Sequence, residues 1–270
     1  MIPKLAWIVN SQYDDTPMLL LATAPHLPEL SPCDRPLVPA LRALGLDPQV
    51  VAWDDPTVDW AGADLCVIRS CWDYHLRLPA FLDWAAGVPR LVNRLELVRW
   101  NSHKSYLREL AVPTVPTVWL QPGELVDPVA LGWEEVVVKP AVSASAHRTV
   151  RTRSAMVAEL EVLVQPYLPA VEGVGERALV FIDGEFMQAM RKPPVLSGEV
   201  DGYAPVEVTA AELELAQRTL AELPEVPLYA RVDLLEGLVM ELELIEPSLY
   251  LVASAEVTAR FARAIAARLG

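Results

Sequence analysis

Apolar residues fall into short runs whose period changes along the chain, and those changes divide it into strands and helices. In the first third, buried-type strands read at residues 5–10 (Leu-Ala-Trp-Ile-Val-Asn), 49–53, 63–68 and 89–93. Between them the spacing of Leu37, Leu41 and Leu44 predicts a short helix over 36–45, and a second helix reads over 78–86. Strands alternating with helices predict parallel βαβ units, open at the carboxyl ends of the strands. No Gly-x-Gly-x-x-Gly follows the first strand, so a dinucleotide site of that kind is not expected.

Helical spacing returns over 95–110, with Lys104 among the apolar positions. Pro113 and Pro116 then punctuate an extended segment, 112–120, in a way that excludes a central strand. A buried strand reads over 134–140 and carries Lys139 near its end, followed by a loop of small and hydroxylated residues, 141–149. A short helix reads over 155–160 and a strand over 161–169. The runs 177–182 and 185–190 flank Asp183-Gly184 as a hairpin that ends in Arg191-Lys192-Pro-Pro, a small basic island. Thr209 and Glu212 have the spacing of a capping box at the start of a helix over 209–223. Two strands turning at Glu236-Gly237 follow, then a final helix over 255–269.

That last hairpin concentrates charge. Strict alternation puts Met240, Leu242 and Leu244 on one face and Val239, Glu241 and Glu243 on the other, with Asp233 able to lie across from the glutamates. Like charges on neighbouring sheet positions repel, so the cluster needs a cation or a solvated edge. Hard oxygen ligands at this spacing suit Mg²⁺ held together with substrate phosphates. An acidic, solvent-facing hairpin is the other reading. Lys139 likewise either snorkels to solvent or meets phosphate oxygens beneath the backbone N–H groups of the next loop. The run Arg69-Ser-Cys-Trp-Asp-Tyr74 ends the third strand, where a ligand crevice lies. It reads either as a substrate-contact loop, through Arg69, Ser70, Asp73 and Tyr74, or as a structural loop anchored by Trp72.

Composition narrows the partners. With 270 residues and 53% of them apolar, the chain can bury a sizeable core. A formal net charge of −14 argues against nucleic acid or an anionic membrane as partner, because phosphate contacts need clustered Lys and Arg. Each basic residue inside an apolar segment is therefore informative. The cysteines, Cys33, Cys66 and Cys71, are odd in number and not spaced as a pair, which fits neither a disulfide framework nor a zinc site. No run approaches the ~18 apolar residues of a membrane span, and the opening run is too short for a secretory signal. A protein of the reducing cytoplasm is expected.

Taken in order, Lys104, Lys139, the Leu163-Val-Gln-Pro-Tyr-Leu168 segment, Glu176-Arg177, Arg231-Val-Asp233 and Glu241-Leu-Glu243 resemble the ATP-grasp ligases, over roughly residues 93–250. The hairpin and its Arg-Lys-Pro-Pro end are similar to the glutathione synthetase/RimK branch, and Arg231-Val-Asp233 resembles the D-alanine–D-alanine ligase pattern. The segments Arg-Ser-Cys-Trp-Asp-Tyr, Asn-Ser-His-Lys-Ser-Tyr-Leu and Ser-Ala-Ser-Ala-His-Arg look most similar to the O-ureidoserine cyclo-ligases of D-cycloserine biosynthesis. The resemblance implies an α/β fold with α+β elements: a parallel βαβ pre-ATP-grasp substrate domain over 1–94 and an ATP-grasp domain over 95–270. The latter would hold a small lid subdomain at about 113–164 and a C-terminal antiparallel sheet.

The resemblance also implies roles. Lys104 and Lys139 would contact the α- and β-phosphates of ATP, with Ser143 and Ser145 in the lid loop. Gln165, Pro166, Tyr167 and Leu168 would form the hinge at the adenine, with Glu176 on the ribose. Asp233, Glu241 and Glu243 would hold one or two Mg²⁺ ions, with Glu246 as a weaker candidate. Arg231, and with it Arg177 or Arg191, would face the transferring phosphoryl group and the substrate carboxylate. The implied activity is ligation of a small amino-acid-like carboxylate to nitrogen through an acyl phosphate, with intramolecular cyclisation as a narrower form. A homodimer is a common arrangement in these families. A nucleotide-binding regulatory or scaffold protein on the same fold is the alternative. The pattern departs from the family in two places: Ala and Ser replace the usual Gly-rich lid loop, and Glu243 stands where Asn is common.

Overall fold

Parallel strands covered on both faces must be apolar throughout, and the segment that meets this demand is β1, Leu19–Thr23, all five residues buried. The computed structural model describes residues 17–194 and 202–270; the strand expected over 5–10 lies outside them. β1 pairs in parallel with β2 (Gln49–Ala52) and β3 (Leu65–Ile68), and β4 (Leu91–Val92) completes the order β2-β1-β3-β4. Helix α1 (Leu37–Arg42) covers the face carrying Leu19, Leu21, Leu65 and Val67. Helix α2 (Leu78–Ala86) covers the face carrying Leu20, Ala22, Cys66 and Ile68.

The helical run over 95–110 divides in two. Helix α3 (Leu95–Asn101) ends before His103, whose extended backbone breaks it and whose ring accepts the Ser105 N–H; a 3-10 turn then runs over Lys104–Arg108. Beyond it lie β5 (Val118–Leu120), β6 (Leu125–Val126), β7 (Val136–Pro140), β8 (Val150–Thr152), β9 (Met156–Val157) and β10 (Val162–Pro166). They form a small antiparallel sheet in the order β5-β10-β7-β8 and a two-stranded ribbon of β6 with β9. The proline-punctuated segment thus supplies an edge strand. The helix expected over 155–160 is β9 instead. Its period is two: Ala158 is buried and Val157 is exposed, and backbone bonds between Ala158 and the Gly123–Glu124 turn fix it.

The largest sheet comprises β11 (Glu176–Ile182), β12 (Glu185–Lys192), β13 (Ala204–Pro205), β14 (Tyr229–Leu235) and β15 (Leu238–Glu243), antiparallel in the order β13-β12-β11-β14-β15. Both hairpin turns place two successive residues at positive φ, Asp183-Gly184 at 52° and 74° and Glu236-Gly237 at 51° and 75°. That is the backbone of a tight turn whose twist matches its strands. Helix α4 (Ala210–Ala221), started by the Thr209–Glu212 capping box, packs on one face against Leu179, Phe181, Val232 and Leu242. The final helix, α5 (Ala255–Leu269), packs on the other, and its cluster continues into Leu19, Leu21 and Val67 of the parallel sheet. One apolar core therefore joins the N-terminal sheet to one end of the large sheet, and leaves the other end of that face open. No described helix is long and apolar enough to cross a membrane.

Two β-bulges set what that open end displays. Between β14 and β15, Leu234 pairs with Val239 but Asp233 pairs with Glu241, so Met240 is the extra residue. Val239 therefore joins Leu242 and Leu244 in the core, against the strict alternation expected for it. Between β11 and β12, Phe181 pairs with Phe186 but Val180 pairs with Gln188, so Met187 is extra. Each bulge inverts side-chain parity for the rest of its strand.

Candidate active site

Register builds the centre. Across β14 and β15, Arg231 stands opposite Glu243 and Asp233 opposite Glu241; across β11 and β12, Glu176 stands opposite Lys192; and Ala178 of β11 pairs with Asp233. All six charged side chains thus share one face. Lys192 Nζ lies 2.6 Å from Glu176 and 2.8 Å from Asp233. Arg231 grips Asp233 with two parallel bonds of 2.8 Å, a fork suited to a carboxylate, and also pairs with Glu243.

The edge of β15 recruits the remaining lysine. The Asn101 amide donates to the Leu242 carbonyl and accepts the Leu244 N–H, both at 2.8 Å, and the Leu242 N–H donates to the Tyr106 hydroxyl. These bonds lay the end of α3 and the next turn along the strand, so that Lys104 ion-pairs with Glu241. The Lys104 N–H donates to Ala141 O at 2.8 Å, which ties the loop after β7 to the same place. On the small sheet, Val136, Val138, Val162 and Val164 face the small core, while Lys139, Leu163 and Gln165 share the opposite face. That face looks toward the charged row, for Lys139 feels the charges of Glu241 and Glu176.

Burial and pairing set the ionisation. Burial works against the charge on Asp233 and on Glu241, but Arg231 and Lys192 in one case, and Lys104, Lys139 and Lys192 in the other, outweigh it and hold both carboxyls below their ordinary range. Glu243 goes the other way: burial, together with Asp233 and Glu241, overrides Arg231 and pushes it up to about 7. Lys139 is lowered by burial, whereas Lys104 is raised because Glu241 overcomes the same effect. Oxygen atoms of Asp233, Glu241 and Glu243 lie within 4.8 Å of one another. Three hard oxygen donors at that separation fit a divalent cation such as Mg²⁺.

Other expected residues are placed as follows. Ser143 is buried and donates to Pro140 O, while Ser145 is exposed. Ser145, Ala146 and Arg148 all have positive φ (49°, 54° and 57°), conformations that glycine adopts more readily, so the loop holds a glycine-like path without glycine. Gln165 donates to Thr117 Oγ1 at 3.0 Å and leaves its carbonyl oxygen buried without a partner. Pro166, Tyr167 and Leu168 lead out of β10; the Tyr167 N–H donates to Glu135 O, and Arg151 covers its ring.

Two arginines are not brought to the centre. Arg177 points to the opposite face of the sheet, where it bonds Glu207 O and pairs with Glu212 at the start of α4. Arg191 pairs in register with Arg177 and bonds the carbonyls of Gly173 and Val174. The Met187 bulge is the reason: an unbroken hairpin would set Arg191 opposite Glu176, and the extra residue sets Lys192 there. In the Arg69–Tyr74 loop most of the polar groups are already taken within the protein. Arg69 is fully buried and paired with Asp34 at 2.9 Å, and Ser70 bonds the same carboxylate. Asp73 accepts from Trp53 and pairs with Arg77, and Tyr74 is in the core. Lys192, Asn101 and Tyr106 are the site residues that the sequence pattern did not single out. A bulge-aware register would have found the first; the other two act only through folded backbone.

Comparison with known proteins now decides the family. The cycloserine biosynthesis protein DcsG of Streptomyces lavendulae is 35% identical over 279 aligned positions, covering 87% of this chain and 93% of that protein. The chain belongs to the DcsG family of ATP-grasp ligases. A family profile described as the N-terminal domain of D-cycloserine synthetase DcsG matches residues 19–96 of this DcsG-family protein. The crystal structure of D-cycloserine synthetase DcsG superposes with a TM-score of 0.82 at 30% identity, covering 94% of this chain and all of the other. A RimK-domain ATP-grasp protein from Sphaerobacter thermophilus shares the fold, with a TM-score of 0.66 at 18% identity over 92% of this chain and 99% of that one. This DcsG-family chain is thus an ATP-grasp enzyme of the carboxylate–amine ligase class.

Proposed function

We propose that this protein uses ATP and Mg²⁺ to activate a small amino-acid-like carboxylate as an acyl phosphate, which a nitrogen nucleophile then attacks. The observation that carries this reading is the trio Asp233, Glu241 and Glu243, ringed by Lys104, Lys192 and Arg231 and faced by Lys139. In this reading Lys104 and Lys139 bind the α- and β-phosphates as point charges. The backbone of Gln165–Leu168 reads adenine, and Glu176 takes the ribose hydroxyls. Asp233, Glu241 and Glu243 hold one or two Mg²⁺ ions, which supply charge neutralisation at the transferring phosphoryl group.

A carboxylate is a poor electrophile. Transfer of the γ-phosphoryl group to a carboxylate oxygen breaks the β–γ bond, releases ADP and leaves an acyl phosphate. The nitrogen lone pair attacks its carbonyl carbon, inorganic phosphate departs and the nitrogen loses a proton. Positioning and charge neutralisation are most of what the protein must provide. In this reading Arg231, fixed by Asp233, faces the γ-phosphoryl group and the carboxylate. The loop 141–149 excludes water, which would hydrolyse the acyl phosphate.

The narrower form of the reading is intramolecular, with an O-ureidoserine-type substrate whose own nitrogen closes the ring. It is supported by the family and by the family's N-terminal profile over 19–96. Incubation of the purified chain with MgATP and O-ureidoserine is expected to release ADP and phosphate as the ring closes, and to give cycloserine once water cleaves the carbamoyl group from the ring nitrogen as carbon dioxide and ammonia. Nucleotide binding with ADP release only from other amino-acid carboxylates would retain the ligase reading and reject the cyclisation. No nucleotide binding by calorimetry in the presence of Mg²⁺ would reject both.

A further inference from the structure

The Arg69–Tyr74 loop is hidden from the cleft, yet it reaches the site from behind. Past Glu243 the chain leaves β15 and runs as irregular backbone through Ile245–Tyr250, ending with Tyr250 at a φ of 52°. An irregular, buried segment has no ladder to satisfy its carbonyls. Here side chains take every one. The Tyr229 hydroxyl lies 2.8 Å from Ile245 O, and Trp72 Nε1 donates to Glu246 O at 3.3 Å. Arg69 Nη2 donates to Pro247 O at 2.8 Å, and Arg231 Nη1 to Ser248 O at 3.3 Å. Gln188 Nε2 serves Leu249 O and Tyr250 O at 2.8 and 3.3 Å.

The donors come from two sources. Tyr229, Arg231 and Gln188 stand on the large sheet, on the face that carries the charged row. Arg69 and Trp72 come from the end of β3 in the parallel sheet. Arg69 is itself held at Nη2, which bonds both Asp34 and Pro247 O, while Nε and Nη1 are buried without a hydrogen-bond partner and the rings of Tyr229 and Phe261 lie 4.9 and 5.4 Å from its guanidinium. A buried arginine held in this way sets the height of the Pro247 carbonyl, and so of Ser248, to which Arg231 is tied. The same backbone is continuous with Glu243.

We infer that Arg69 and Trp72 are positioning residues for Arg231 and Glu243, acting through the carbonyls of Glu246–Ser248 and touching no substrate. The inference rests on the proposed ligase reading for its catalytic consequence. It also gives a use for the buried Arg69 at the end of the parallel sheet. The parallel sheet supplies one rigid wall of the reaction centre, in addition to whatever surface it offers to substrate.

The test uses Trp72→Phe, which removes one donor from a half-buried ring, and Arg69→Lys, which keeps the charge beside Asp34. Each full-length variant is compared with the wild type by calorimetry with MgATP, by steady-state ADP release with O-ureidoserine, and by hydrogen–deuterium exchange. Expected are faster exchange confined to peptides spanning 229–235 and 241–251, a kcat about tenfold lower because small misplacements at a reacting centre are costly, and an ATP dissociation constant within about twofold. Exchange and kcat at wild-type values in Trp72→Phe would overturn the inference, as would an ATP affinity that falls in step with kcat. If the wild type releases no ADP from this substrate, the substrate reading fails; the exchange pattern and ATP affinity then decide the inference, and unchanged exchange over 241–251 overturns it.

Discussion

The two sheets that line the cleft carry their charge in opposite ways. On the small sheet the charge facing the cleft is Lys139, which makes no ion pair among the described residues and whose pKa burial lowers. On the five-stranded sheet Lys192 and Arg231 are each buried against carboxylates, and both pKa values are driven up because those partners outweigh the burial. Both cations of the large sheet are thus ion-paired, among four carboxylates of which Glu241 takes its partner, Lys104, from outside the sheet, while the lysine of the small sheet has no ion-pair partner among the described residues. On the proposed reading the difference assigns different tasks: Lys139 would meet an incoming phosphate, and the carboxylates of the large sheet would exchange lysine and arginine contacts for a cation.

The largest effect should come from removing the exchange partner. Glu241→Gln leaves Lys104 in place and deletes one oxygen donor of the trio. We expect ADP release to fall roughly 10³-fold, the scale of losing charge stabilisation at a phosphoryl or oxyanion centre, with circular dichroism unchanged. Asp233→Asn should match it in rate and also destabilise, because Arg231 and Lys192 would be left buried with half their counter-charge. Activity in the double variant would refute the metal assignment.

The same substitution on the two sheets should have opposite consequences for stability. Lys192→Met strands Glu176 and leaves Asp233 to Arg231 alone, and breaking a buried pair from one side costs about 3–5 kcal/mol. Lys139→Met breaks no ion pair, leaves Glu241 its partner Lys104 and removes a half-buried charge, so the unfolding midpoint should hold or rise. Its cost should appear in nucleotide binding instead, as a loss of about 1.5–3 kcal/mol, the worth of a hydrogen bond to a charged group. Urea unfolding and calorimetry with MgATP measure the two arms. Equal destabilisation by both variants would break the contrast.

How much of this contrast was legible in the sequence depends on backbone parity. The lysine on an apolar strand, the Arg-x-Asp and the Glu-x-Glu were readable because period-2 alternation survives over short distances. The strands of the C-terminal half were readable for the same reason, and the helix over 255–269 from its own period, whereas the fold class came with the family resemblance. Bulges have no dependable sequence mark, and the one at Met187 is what separates Arg191 from Lys192. At Arg177 alternation itself gave the answer, since it is out of phase with Ala178 and Asp233 across the strand pair. Arg69 misled for another reason. Its charge suggested a surface, and only the fold supplies Asp34 and the Pro247 carbonyl to bury it. It follows that Arg177→Met, on the outer face, should leave kcat within about twofold, as for substitutions away from a site. A hundredfold loss would return Arg177 to the chemistry.

The smallest effect, and the one that sharpens the comparison most, lies in the pH dependence of stability. The Lys139 pKa in the folded chain is below its unfolded value of about 10.4. Between those two values the unfolded chain binds the proton and the folded chain does not, so stability rises with pH across that window. Lys192 is the reverse: its folded pKa is raised, so its stabilisation is complete below about 10.4 and is lost only as pH climbs through the higher folded value. Unfolding free energies taken from neutral pH into the alkaline range should therefore diverge between the variants. The gap between wild type and Lys139→Met should move in favour of wild type as pH rises toward the ordinary lysine value, while the gap to Lys192→Met should stay flat there and close only at still higher pH. Parallel curves for the two would mean that Lys139 has a counter-charge in the folded chain after all, and the small sheet would then no longer be the side that waits for its anion.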